Sequence, residues 1–110
     1  MNKNIYINKI SKFLPGEPVS NDEMEQYLGF VGGDMKSKSK PIILRNNKIK
    51  KRYYALDKNG QSTYNNAELT ANAVRGLVSE DFALEDIELL TCGTTSADQI
   101  LPGHASMVHG

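Results

Sequence analysis

The side chains with chemistry to offer in this 110-residue sequence are one thiol, two histidines, a run of carboxylates and a run of cations. Cys92 lies within Ile87-Glu88-Leu89-Leu90-Thr91-Cys92. A nucleophilic cysteine needs exposure and an activating helix N-terminus or histidine. In an apolar stretch a thiol behaves as a small hydrophobe, so Cys92 reads as structural. His104 and His109 are five apart, whereas a helical metal pair needs i, i+4 geometry. With no third ligand in view, both read as surface or packing residues. Glu80, Asp81, Glu85, Asp86 and Glu88 could supply an acid–base pair only in a concave, partly dry setting, and they read as a solvated acidic turn. Gly32-Gly33 is a lone doublet, and neither Gly-x-Gly-x-x-Gly nor a Walker-type phosphate loop occurs.

The one electrostatic asymmetry is basic. Lys36, Lys38, Lys40, Arg45, Lys48, Lys50, Lys51 and Arg52 fall between Asp34 and Asp57 with no acid among them. Such a run suits nucleic acid, the phosphates of a cofactor or an acidic protein. A net charge of zero favours a solvated loop balanced by acids elsewhere and argues against nucleic acid.

The elements that would position these groups follow from periodicity and breakers. Ile5 and Ile7 alternate around Tyr6, predicting a strand through Ile10 that is stopped by Pro15-Gly16-Glu17-Pro18. Ser20 or Asn21 can cap a helix in which Met24, Tyr27 and Leu28 share a face, ended by Gly29 and Gly32-Gly33. Ile42-Ile43-Leu44 reads as a short strand or anchored turn. Tyr53 to Leu56 reads as an extended piece before the Asp57-Lys58-Asn59-Gly60 turn. The strongest helix runs from Asn65 or Asn66 to Val78, with Leu69, Ala73, Val74 and Leu77 as its apolar stripe and Phe82 and Leu84 folding back onto it. Ile87 to Cys92 is predicted as a buried strand paired beside the first one. Pro102 is placed at the first position of a last helix containing Ala105, Met107 and Val108. Helix, strand and helix in succession imply an α/β layer with a parallel crossover.

Composition bounds the class. Thirteen basic and thirteen acidic residues, 39 % hydrophobic residues and a single cysteine are the usage of one soluble domain. One cysteine forms no internal disulfide and points to a reducing cytoplasm. The N-terminus lacks the apolar core of a secretion signal, and no apolar run is long enough to span a bilayer.

The order of motifs resembles a known family. Phe13-Leu14-Pro15 is followed by Ser20-Asn21-Asp22-Glu23-Met24 and by Arg45-Asn46-Asn47-Lys48-Ile49-Lys50-Lys51-Arg52-Tyr53-Tyr54-Ala55. Then come a helix, Ile87 to Cys92 with Gly93-Thr94-Thr95-Ser96, and Leu101-Pro102. This resembles the N-terminal part of β-ketoacyl-acyl-carrier-protein synthase III enzymes of the thiolase superfamily, nearest to the branch linked to aryl-polyene or dialkylresorcinol pigments. The resemblance covers nearly the whole chain. It implies an incomplete α/β fold, the N-terminal part of a thiolase-like domain, here residues 1–110, with a mixed sheet and helices. It implies that the parent is an acyltransferase performing decarboxylative Claisen condensation of an acyl thioester with a malonyl carrier protein. The nucleophilic cysteine, histidine and asparagine would lie beyond Gly110, leaving Cys92 structural and this stretch alone inactive. The entrance for coenzyme A or the phosphopantetheine arm would be lined by Arg45 or Asn46, by Lys48, which stands where the family has glycine, and by Arg52. Leu101 would reach a dimer partner's acyl pocket. The tryptophan that stacks on adenine in the family has no counterpart, since this chain contains none. No cofactor is implied for the chain itself. The implied partners are an acyl carrier protein and a second subunit, with neither nucleic acid nor membrane; the isolated stretch is expected to self-associate. The rival expectation is a complete small α/β binding module that holds an anionic partner on the Lys36–Arg52 surface.

Overall fold

A computed structural model describes residues 3–31, 33 and 36–110; Gly32 of the glycine doublet and Asp34 at the edge of the basic run lie outside the described residues. The chain divides into two compact units, Leu14–Tyr64 and Met1–Phe13 with Asn65–Gly110. Among the described residues there are four α-helices and one two-stranded antiparallel sheet, a mixed α and β architecture.

In the unit Leu14–Tyr64, strand β1 (Val19–Ser20) pairs antiparallel with β2 (Lys51–Arg52), placing Val19 opposite Arg52. Val19 is 2 % exposed, and the neighbouring Pro15 is also buried. Helix α1 (Met24–Leu28) follows β1 directly. Its start differs from the expected cap: Ser20 does not accept from the helix. Instead the Glu23 carboxylate turns back to accept from the Ser20 amide (3.0 Å) and hydroxyl (2.7 Å). Gly29 closes α1 with φ near +73°, a left-handed conformation that costs glycine nothing.

Ile42-Ile43-Leu44, expected as a strand or turn, lies inside helix α2 (Lys40–Asn47). Three apolar residues carry too short a signal to separate the two periods, and Pro41 in the first turn has its φ preset for a helix. Lys48 ends α2 in the left-handed region, and the Asn47 side chain accepts from the Ile49 amide (2.9 Å). The Asn-Gly turn forms as expected: Asp57 accepts from the amides of Asn59 and Gln61, Gly60 has φ near +75°, and Leu56 bridges Ser62.

In the other unit, helix α3 (Asn66–Arg75) carries Leu69, Ala73 and Val74 half-buried and Ala67 buried, but it ends three residues before the expected Val78, so Leu77 lies beyond it in a turn. Asn65 and Glu68 form a reciprocal capping box, satisfying two amides at the helix start. Helix α4 (His104–His109) packs against α3. It begins two residues after Pro102, with Gly103 as its N-cap, so Pro102 precedes the helix instead of opening it.

Two expected strands are not formed. Residues 5–10 belong to no helix or strand, with Ile5, Ile7 and Ile10 exposed. Residues 87–92 follow a single 3-10 turn (Leu84–Asp86) and pair with nothing; Ile87, Leu90 and Cys92 are half-buried while Leu89 is 79 % exposed. The parallel crossover therefore does not occur among the described residues. A β-former becomes a strand only when a partner supplies the opposing ladder.

Among the described residues the buried hydrophobic side chains are Val19 and Ala67. Local polar bonds, more than a sealed apolar interior, hold each unit. We expect Asn65→Ala to lower the stability of the Asn65–Gly110 region by about 1 kcal/mol through loss of the cap, measured as a lower urea midpoint in far-ultraviolet dichroism; an unchanged midpoint would show that the capping box is dispensable.

Candidate functional site

The basic run supplies the most concentrated site chemistry. Arg45 and Asn46 occupy the last turn of α2, Lys48 is its left-handed cap and Arg52 stands on β2, so one helix–turn–strand segment brings together all four residues expected there. Their environments differ. Arg45, Asn46 and Lys48 are exposed, whereas Arg52 is half-buried and turned inward. Its guanidinium donates to Asn21 Oδ1 (2.7 Å) and to the Met24 sulfur, while Asn21 Nδ2 donates to the Ile49 carbonyl (3.0 Å). Arg52 and Asn21 thereby clasp β2 to the entry of α1, and Arg52 holds the cationic segment in place.

Lys40 is also committed, pairing with Glu25 at 2.8 Å where both side chains are about four-fifths covered. This pair borders a cleft of about 450 Å³ lined by Asn21, Asp22, Lys36 and Ser37. Among the described residues the ion pairs are Lys40–Glu25 and Lys9–Asp81. Lys36, Lys38, Arg45, Lys48, Lys50 and Lys51 thus present their charge to solvent, interleaved with the exposed Ile42, Ile43 and Ile49. Such a surface can hold an anion or an acidic partner by charge, with apolar contacts beside it.

Leu101, 82 % exposed, belongs to the other unit. Cys92 is a half-buried free thiol outside any strand. His109 is exposed, whereas His104 is half-buried on α4. Thr70 Oγ1 donates to the Asn66 carbonyl (3.0 Å) and lies 3.2 Å from His104 Nε2. Among the described residues His104 Nδ1 is buried without a hydrogen-bond partner. The Thr70–His104 contact joins α4 to the first turn of α3. Of the acidic residues, Asp81 accepts from Ser79 (2.8 Å) and pairs with Lys9, and Asp86 accepts from the Ala83 amide. Glu80, Glu85 and Glu88 are exposed.

The polar group that sequence reasoning missed is Asp98. Its two carboxylate oxygens accept from the amides of Asn66 (2.8 Å) and Ala67 (2.9 Å), while Asn66 Nδ2 donates to Thr94 Oγ1 and to the Ser96 carbonyl. The Asn66 and Ala67 amides hold the Asp98 carboxyl below the usual Asp range, with a further contribution from the charge of His104. The Ser20 hydroxyl and amide do the same for Glu23, and the Ser79 hydroxyl and Lys9 for Asp81. No signal within four residues of Asp98 announces this role, because its partners lie about thirty residues earlier.

No family model and no curated protein matches this chain. No helix among the described residues is long and apolar enough to cross a membrane.

The folded Asp98 titrates below its unfolded value, so its stabilisation is complete above the ordinary Asp value of about 3.9 and is lost as pH falls through the lower folded value. Hydrogen-exchange protection of the Asn66 and Ala67 amides should drop in that acid window. Asp98→Asn should lower it already at neutral pH and flatten the acid dependence; wild-type protection that ignores acid would contradict the assignment.

Proposed function

We propose that this chain is the N-terminal scaffold of a thiolase-like condensing enzyme of the β-ketoacyl-acyl-carrier-protein synthase III kind, acting in the cytoplasm. The single observation that carries the reading is the order and spacing of its motifs, from Phe13-Leu14-Pro15 through Arg45 to Arg52 and on to Thr94-Thr95-Ser96 and Leu101-Pro102. The exposed apolar side chains of residues 5–10, Leu89, Ile100 and Leu101 support it, because they are the side chains that further chain or a second subunit would cover. So does the exposed cationic segment, where Arg45 or Asn46 and Lys48 would line the entrance for a phosphopantetheine arm and its acidic carrier protein, with Arg52 positioning them.

In this reading the chain binds and shapes, and the bond-making groups lie on further sequence. Condensation needs a thiolate to take the acyl group and donors to stabilise the oxyanion. Cys92, half-buried and outside any helix or strand, fills neither role.

The chain alone should therefore be inert toward acyl-coenzyme A and malonyl carrier protein, and Cys92→Ser should change nothing in such an assay. A Cys92-dependent acyl adduct in intact-mass spectra would overturn this. Reading the gene past the codon for Gly110 is the direct test. A continuing frame that encodes a cysteine at a helix start, then a histidine and an asparagine, is the expected result, and an immediate stop codon would sink the proposal.

A further inference from the structure

Charge is segregated between the two units. Leu14–Tyr64 holds nine basic and six acidic residues, a net of +3; the remainder holds four and seven, a net of −3. Six cations that make no ion pair among the described residues concentrate this asymmetry within residues 36–51, beside the exposed Ile42, Ile43 and Ile49. The opposite character occurs in residues 80–89. There Glu80, Glu85 and Glu88 are exposed and make no ion pair among the described residues, beside the exposed Leu84 and Leu89. Each segment offers like charges interleaved with apolar side chains, and the signs are opposite.

From this complementarity we propose that the Lys36–Lys51 surface docks the Glu80–Leu89 segment of a second copy of this chain. The inference is independent of the condensing-enzyme reading. A zero net charge removes the repulsion that normally keeps copies apart. A nucleic acid or other uniform polyanion meets the +3 unit but is repelled by the −3 unit, whereas a second copy matches both. The contact joins different patches on the two copies, so it is head-to-tail and each dimer keeps one free surface of each sign.

Sedimentation velocity of the whole chain tests it, because salt moves ionic and apolar association in opposite directions. Raising NaCl from about 50 to about 500 mM shortens the Debye length from about 14 to about 4 Å and should weaken association about tenfold; burial of apolar surface alone is not weakened by salt. Neutralising one surface with Lys48→Gln, Lys50→Gln and Lys51→Gln, or the other with Glu80→Gln, Glu85→Gln and Glu88→Gln, should leave each variant monomeric. An equimolar mixture of the two should form a dimer and stop there. A control triple of equal charge change, Lys3→Gln, Lys12→Gln and Lys58→Gln, should associate like the unaltered chain. All nine sites are exposed, and unchanged far-ultraviolet dichroism establishes that each variant folds. Association that is unchanged or strengthened by salt overturns the proposal. So does a mixture of variants that stays monomeric, or a chain that is monomeric at low salt yet binds heparin.

Discussion

The first amides of a helix have no carbonyl beneath them to accept their protons, and the way α3 meets that demand organises its whole unit. Asn65 and Glu68 satisfy two of these groups locally. Asp98 takes two more, at Asn66 and Ala67, and in doing so ties a segment thirty residues later to the helix start. A carboxylate also complements the positive end of the helix dipole. Asn66 strengthens the tie through Thr94 and Ser96, and Thr70 carries it onward to His104 and α4. The buried Ala67 lies at the centre of this arrangement.

The unit Leu14–Tyr64 is held by the same means. Strands of two residues contribute little ladder, so Arg52, Asn21 and the Ile49 carbonyl supply the clasp between β2 and α1. The tilted Tyr27–Tyr54 ring pair, with centroids 5.8 Å apart, adds apolar contact beside it. One consequence concerns the cations. Arg52 and Lys40 are spent on internal partners, and the charge left facing solvent belongs to the flanking lysines and Arg45. A basic run read as uniform along the sequence is therefore two populations in space, one structural and one free.

Polar clasps fix geometry locally but cover little apolar surface. Isoleucines and leucines at positions 5, 7, 10, 89, 100 and 101 stay in water. Exposed apolar side chains of this kind are a feature of surfaces that meet other protein.

The sequence by itself determined the features whose physics acts within about four residues. The α3 start at Asn65, the Asp57–Gly60 turn and the Gly29 stop are all of this kind. Capping, turn hydrogen bonds and preset φ angles need only near neighbours. The cationic segment was also legible, since charge is read from composition. Tertiary structure decided the rest. Ile42–Leu44 became helical, residues 5–10 and 87–92 found no ladder, Ser20 donated its hydroxyl hydrogen bond to Glu23 instead of capping α1, and Asp98 became the anchor of α3. Each of these outcomes depends on whether a partner arrives from elsewhere in the chain. A strand without an opposing strand, like a carboxylate without its distant amides, carries no local mark of its fate.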